Sequence, residues 1–275
     1  MFEEVLGDSF SVFFKNFKRY ALLATVIMVP LILLQIAFLV GTEGTIVYES
    51  QASSFQMLKH MGDADAMQQY AEDMEDKEPA SPMVMLIGFI VIALGGLLAN
   101  SATVLATDYY YQEKDITIGD IIKQSARRWP GLICMTFIIM LVSTIGFVFL
   151  IVPGIFLLVK YSLALPLYVM ENISVPTALS RSFQMTKGKF WTIFGTVFVL
   201  WMVIILAGWI VQLILMLPAM VFSNIVVYII VTVFSALIQV LSSGFLAIAA
   251  YLFYAKISGR IPTKGKLEPA WEAGQ

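Results

Sequence analysis

Few residues in the apolar parts of this sequence could take part in chemistry, and Lys160 is the foremost of them. It is the only basic residue inside a predicted membrane span. At 1.5 Å per residue it lies about 9 Å from the predicted external turn. A charged residue within the membrane is a candidate functional site by default. The alternative is that its long side chain reaches the outer interface or binds a backbone carbonyl.

Two charged residues flank a polar break in the second half of the chain, Glu171 and Arg181. An ion pair between them would fix a short helix at the membrane surface, and we favour this structural role over a chemical one. Asn100 belongs to a wider set of polar side chains within predicted spans. The set is Gln35, Asn100, Gln212, Asn224 and Gln239. Hydrogen bonding between helices is the usual role of such groups, and a polar pathway is the alternative.

The sequence contains no P-loop, GxSxG, HExxH or CxxC motif, and its carboxylates gather in polar segments. We therefore predict that the protein is not an enzyme and needs no cofactor. A single cysteine, Cys134, excludes a disulfide within the chain, and His60 is the single histidine. Methionines surround His60 in a polar loop, a ligand type that suits Cu(I), but their spacing also fits an ordinary amphipathic helix. We assign no metal site.

Composition places the chain among integral membrane proteins. Hydrophobic residues make up 59% of it and charged residues 13%, half the share of about 25% in soluble domains. The fold class predicted is an all-α integral membrane protein with six transmembrane helices arranged as three helical hairpins. The predicted spans are residues 20–40, 83–107, 132–152, 155–170, 190–217 and 221–254. They form a single membrane domain, residues 1–255, with an external acidic loop at 41–82 and a polar cytoplasmic tail at 256–275.

Prolines are expected to shape these spans. Pro30 predicts a kink, and Pro166 predicts a bend or an early end. Pro153 and Gly154 predict the tight turn of the second hairpin, and Pro218 predicts the turn of the third.

A cytoplasmic amphipathic helix precedes each predicted hairpin, at residues 1–19, 118–129 and 176–187. Each one ends in basic residues and is followed by an aromatic residue. Thr117 and Asp120 resemble a capping box, Ser174 suits an N-cap, and Gly188 suits a helix stop. A threefold repeat of this unit is one explanation, and the general habits of proteins with an even number of spans are the other.

The charge distribution predicts the orientation. With the N-terminus inside, 14 of the 17 Lys and Arg residues fall in cytoplasmic segments, in accord with the positive-inside rule. Both termini are then cytoplasmic.

The segment from Pro153 to Trp191 resembles the membrane domain attached to some bacterial glycerophosphodiester phosphodiesterases, and its free-standing relatives. The residues that carry the resemblance are Pro153-Gly154-Ile155, Lys160, Pro166, Glu171, Ala178-Leu179, Arg181-Ser182, Thr186, Gly188 and Trp191. The resemblance implies a multi-pass protein of the bacterial inner (cytoplasmic) membrane. It does not imply the phosphodiesterase activity, which belongs to a separate soluble domain.

The function that we predict is a non-enzymatic scaffold or envelope-homeostasis factor that contacts membrane lipids, including anionic headgroups at the cytoplasmic face, or a protein partner, and no nucleic acid. The alternative is a transporter or channel for a lipid-like or amphipathic solute. A polar stripe of Lys160 and the intramembrane amides along one cavity would favour transport. Dispersal of these residues over separate helix contacts would favour the scaffold.

Overall fold

The structure is a computed structural model, and it describes residues 2–35, 37, 65, 68, 82–221 and 225–260. Within these ranges every regular element is a helix. The helices are α1 (Phe2–Lys15), α2 (Phe17–Gln35), α3 (Pro82–Tyr111), α4 (Ile118–Phe149), α5 (Ile151–Tyr161), α6 (Ala164–Glu171), α7 (Val175–Met185), α8 (Phe190–Val221) and α9 (Ile225–Ile257). Most of the predicted loop at 41–82, the methionines around His60, Asn224 and the tail beyond residue 260 lie outside the described residues.

Six helical segments in the described ranges are long and apolar enough to cross a membrane, as the sequence predicted. They are Phe17–Gln35, Leu86–Tyr111, Ile118–Phe149, Ile151–Glu171, Phe190–Leu215 and Val233–Ile257. Length and composition support this assignment, since about 20 apolar residues span the hydrocarbon core as a helix.

The chain divides into two compact units. The first contains Met1–Ala24, Gly96–Ile204 and Val240–Gln275, and the second contains Thr25–Gly95 and Ile205–Gln239. In the first unit, Leu200 of α8 and Phe245 and Ala249 of α9 form a buried cluster, on which Phe10 and Phe13 of α1 pack. The apolar face of α1 thereby joins the core of this unit.

Close helix contact in the second unit depends on glycine. A Cβ atom on Gly95 of α3 would lie 2.6 Å from Leu31 and 2.8 Å from Met28, both on α2. One on Gly88 would lie 2.5 Å from the Gln35 amide. Small residues let α2 and α3 approach closely, which is the usual packing in membranes.

Helix α4 corrects one predicted boundary. The sequence placed a surface helix at 118–129 and a new span after Pro130, but a single helix runs from Ile118 to Phe149 with Pro130 inside it. Its start is as predicted, because Thr117 is the N-cap and its side chain accepts a hydrogen bond from the backbone N–H of Asp120. Membrane helices tolerate an internal proline when neighbouring groups satisfy the freed carbonyl.

The turn predicted at Pro153 and Gly154 is not there, so that prediction is wrong. The chain breaks at Leu150, whose extended backbone (φ −168°, ψ 152°) ends α4 and begins α5. Pro153 lies in the first turn of α5, where a helix has no intrahelical partner for the missing N–H. A Cβ on Gly154 would lie 2.5 Å from the Phe147 ring, so this glycine permits close packing of the two helices.

Pro166 has the predicted effect on the fourth span. The helix breaks at residues 162–163, between α5 and α6. The ring of a proline clashes with the carbonyl four residues earlier, which here belongs to Ser162. Pro218, in contrast, ends nothing, because α8 continues to Val221. The predicted turn at Pro218 is therefore also wrong.

Candidate functional site

Asp108, near the end of α3, is a buried carboxylate with several hydrogen-bond donors around it. Its side chain is 7% exposed. Arg260 donates to both of its oxygens, from Nε to Oδ1 at 2.8 Å and from Nη2 to Oδ2 at 3.0 Å. The Tyr251 hydroxyl donates to Oδ1 at 2.7 Å and the Gln112 amide to Oδ2. This carboxylate is held by a forked guanidinium and two further donors, the strong geometry for such a pair.

Arg260 follows the last helix, outside the predicted spans. Burial alone would lower its pKa, but the hydrogen bonds and the negative charge of Asp108 raise it, and the net shift is upward. The guanidinium therefore stays charged. The sequence prediction placed residues 256–275 in a polar tail, whereas α9 extends to Ile257 and Arg260 binds the end of α3.

A second ion pair lies where α6 meets α7. Glu171 accepts a hydrogen bond from Arg181, the pair suggested by the sequence, and also one from the Tyr254 hydroxyl at 3.3 Å. The pair joins the last residue of α6 to α7, and Tyr254 adds α9. That the pair serves to orient α7 stays a prediction.

A third ionic cluster connects the two ends of the chain. The side chain of Lys256, on α9, is 1% exposed, and its ammonium lies 2.8 Å from an oxygen of Asp8 and 3.5 Å from one of Glu4. Both acids belong to α1. A buried ammonium is stable only when it is paired, so α1 and α9 depend on each other here.

Lys160 lies in the last turn of α5 and is 5% exposed. Its ammonium is 4.9 Å from the ring centre of Phe183 and 5.3 Å from that of Phe156. Among the described residues, these rings face the charge and no carboxylate does. The Lys160 carbonyl accepts a hydrogen bond from Ser182 of α7 at 2.8 Å. Since the turn is at Leu150, Lys160 is ten residues beyond it, about 15 Å rather than the predicted 9 Å.

Three of the five intramembrane amides have a contact that the structure describes. Asn100 accepts a hydrogen bond from Ser243 at 3.0 Å, and Gln212 accepts one from Ser235 at 3.3 Å. Gln35 lies against Gly88. In the first unit, a small cleft lined by Tyr20, Thr103, Gly244 and their neighbours has room for about one water molecule. Asn100, Gln212 and Gln35 thus each take part in a helix contact within their own unit.

The stop after α7 is as predicted. Gly188 has a φ of +77°, a conformation that L-residues with a side chain rarely adopt. Ser174 occupies the N-cap of α7, but its hydroxyl bonds to that of Thr177 rather than to a backbone N–H.

Sequence reasoning missed the network of Asp108 with Tyr251 and Arg260, and it also missed the separate ion pairs of Lys256. The sequence pattern places Asp108 directly after a predicted span and Arg260 in the predicted tail. The one available signal was an aspartate at the end of an apolar run followed by three tyrosines. That pattern does not indicate a partner 152 residues away.

Comparison with known protein families gives a match that covers almost the whole chain. Residues 1–254 match the sequence model of UPF0259, an uncharacterised protein family. The chain belongs to the UPF0259 family. No curated protein and no solved structure matches it. The match does not connect this UPF0259 chain with the membrane domains of glycerophosphodiester phosphodiesterases, so that resemblance stays a prediction from the sequence.

Proposed function

We propose that this UPF0259 protein is a non-enzymatic scaffold or envelope-homeostasis factor of a bacterial cytoplasmic membrane. Its helices form three hairpins, α2 with α3, α4 with α5–α6, and α8 with α9. Each hairpin begins and ends at the cytoplasmic face. There α1 and α7 lie in the interface as amphipathic helices, and the polar first turns of α4 extend from the same face. This face contacts anionic lipid headgroups or a protein partner.

The observation that carries the proposal is how the charged side chains of the first unit are used. The carboxylates of Asp108 and Glu171 and the ammonium of Lys256 each bind an oppositely charged side chain. Groups used in this way fix helices and are poorly suited to bind a solute. A catalytic or transport site would instead hold polar groups converging on an open cavity.

Burial along the proposed interfacial helices supports their placement. Helix α7 buries Ala178, Leu179 and Ser182, while Arg181 on the helix and Lys187 just after it remain exposed. Helix α1 buries Val5, Ser9 and Val12, with acids in its first turn and Lys15 in its last. That charge order complements the helix dipole, and such two-faced helices favour a membrane surface.

A thiol-labelling experiment tests the proposal against transport. We expect Lys160→Cys, in a Cys134→Ser background, to resist a membrane-impermeant maleimide. The reagent is added to intact cells or to inverted vesicles. The reason is that position 160 of α5 is buried against α7. Two positions serve as controls. Lys59→Cys should react from outside, and Lys114→Cys, in the exposed link before α4, should react from inside. Strong labelling at position 160 that a lipid-like solute blocks would overturn the scaffold in favour of the transporter.

A further inference from the structure

The hairpin of α4 and α5 has an apolar, exposed tip. From Ile145 to Val159 the sequence contains no polar side chain. The residues around the break at Leu150 are exposed to between 68% and 78% of their full area. They are Val148, Phe149, Leu150, Ile151 and Val152. A turn that emerges into water would carry polar residues, so this one is suited to a hydrocarbon environment.

A contact between α5 and the start of α8 limits the distance between the tip and Phe190. The rings of Phe156 and Phe190 are 5.3 Å apart, centre to centre. With standard side-chain dimensions their Cα atoms are at most about 12 Å apart. Six residues of helix, about 9 Å, separate Phe156 from Leu150. The tip therefore lies no more than about 21 Å from Phe190, whereas the hydrocarbon core is about 30 Å thick.

Phe190 itself lies on the cytoplasmic side of the first unit. The Tyr20 hydroxyl bonds to that of Thr107, and this contact marks where α2 and α3 reach their charged flanks. Phe13 stacks on Tyr20 and contacts Phe245, which packs on Leu200. Leu200 is thus level with Tyr20. Phe190 precedes Leu200 by ten residues of helix, about 15 Å further toward the cytoplasm.

From these distances we propose that the α4–α6 hairpin is re-entrant. It enters from the cytoplasmic face, turns at Leu150 among the acyl chains of the cytoplasmic leaflet, and returns to the same face without crossing. The surface from Ile145 to Phe156 is its lipid-binding surface. The proposal uses the cytoplasmic placement of the hairpin base from the proposed function, but whether the hairpin crosses is a separate question. An even number of crossings is kept, so both termini stay on one side.

The turn at Leu150 is short. The Leu150 N–H still donates to the Gly146 carbonyl at 3.1 Å, and Pro153 has no N–H to leave unpaired. Because the break is confined to one residue, the backbone groups without intrahelical partners are only those at the two adjoining helix ends.

The placement also accounts for Lys160. Ten residues from the tip, its ammonium lies near the headgroups of the leaflet by which the hairpin enters. There a cation needs no buried carboxylate, and the rings of Phe156 and Phe183 suffice.

Depth measurement with nitroxide labels on the full-length protein in lipid nanodiscs tests the proposal. The labels go on Cys at three exposed positions of α4, Ile133, Leu141 and Val148, in a Cys134→Ser background. The readout is the ratio of collision rates with oxygen and with a water-soluble nickel complex, which rises with depth. We expect the ratio to rise several-fold from Ile133 to Leu141 and again to Val148. Val152→Cys, on the α5 side of the tip, should give the same collision ratio as Val148→Cys. Agreement between the two shows that neither value arises from a misfolded variant.

A crossing helix provides the matched control. On α8, a label at Ile210 should be deeper than one at Trp191. A maximum at Leu141, with Ile133 and Val148 both shallower, would mean that the hairpin crosses and would overturn the proposal. So would free access of nickel to Val148, or spin–spin broadening at Val148 between two copies, because water or a second chain would then cover the tip instead of lipid. The result does not depend on whether the protein is a scaffold or a transporter.

Discussion

At the scale of single residues, Asp108 is the most constrained group of the described structure. Its burial would be costly without partners, and it has four donor bonds from Arg260, Tyr251 and Gln112. Its main partner is less buried, because the Arg260 side chain is 37% exposed. Removing the two members of the pair should therefore have unequal effects.

We expect Arg260→Gln to destabilise the protein more than Asp108→Asn. The first change leaves a buried carboxylate without its counter-charge, at a cost of about 3 kcal/mol. The second leaves a guanidinium that can turn to water, at a cost of about 1–2 kcal/mol. Thermal unfolding of the purified protein in nanodiscs measures both. Arg181→Gln, which breaks the more exposed pair with Glu171, should cost about 1 kcal/mol or less. Equal losses for the two Asp108-pair variants would contradict this account.

The local sequence pattern predicted contacts between charged residues that are close in the sequence and missed those between residues far apart in it. Glu171 and Arg181 are ten residues apart on either side of a polar break, so their pairing could be inferred. Lys256 and Asp8 are 248 residues apart, and nothing in the spacing of charges connects them. The buried state of Lys256 follows from how α9 packs on α1, which is a property of the tertiary structure.

At the scale of helices, the existence of the apolar spans was predictable and their ends were not. Proline was the misleading signal, because Pro130 and Pro218 lie within helices and Pro153 lies in a first turn. In water an interior proline usually ends a helix. In a membrane the unbroken apolar stretch dominates, since ending the helix would expose more backbone than the proline itself does.

Gly131 tests the packing of α4 on α6. A Cβ atom on Gly131 would overlap the hydroxyl oxygen of Tyr168, far inside van der Waals contact. We expect Gly131→Ala to destabilise the protein by about 1–3 kcal/mol through overpacking. The double variant Gly131→Ala/Tyr168→Leu should recover part of this loss in the same unfolding assay. Gly7→Ala is the control, because nothing lies within 4 Å of the new methyl group and helix propensity alone should raise stability by about 0.5–1 kcal/mol. A neutral Gly131→Ala would show that Tyr168 can move aside.

At the scale of the whole molecule, charge segregation is the dominant feature. The predicted outer loop carries nine acids against Lys59 and Lys77, while the basic residues gather in the predicted cytoplasmic segments. This asymmetry was readable from the sequence because insertion orients a chain by its Lys and Arg residues.

Anionic lipid should stabilise the protein through these basic residues. Lys123, Arg127 and Lys187 are exposed on α4 and next to α7. We expect the wild-type protein to unfold at higher temperature in phosphatidylglycerol nanodiscs than in phosphatidylcholine ones. Replacing the three with Gln should remove about 1 kcal/mol of this difference per residue. The matched change of Lys59 and Lys77 to Gln should leave it intact, because acids outnumber them in their loop. An equal effect of both sets would contradict a cytoplasmic lipid contact.

The ion pairs of Lys256 with Glu4 and Asp8 of α1 have a consequence for biosynthesis. Spans insert one by one before they associate, so α1 is made and reaches the membrane long before α9 exists. Asp8 and Glu4 meet Lys256 only after 248 further residues have been made, counted from Asp8. Arg260 likewise reaches Asp108 only when translation has passed the last helix. The first unit therefore matures in a late step, and the interval before it is when the unassembled chain is most open to chaperones and proteases.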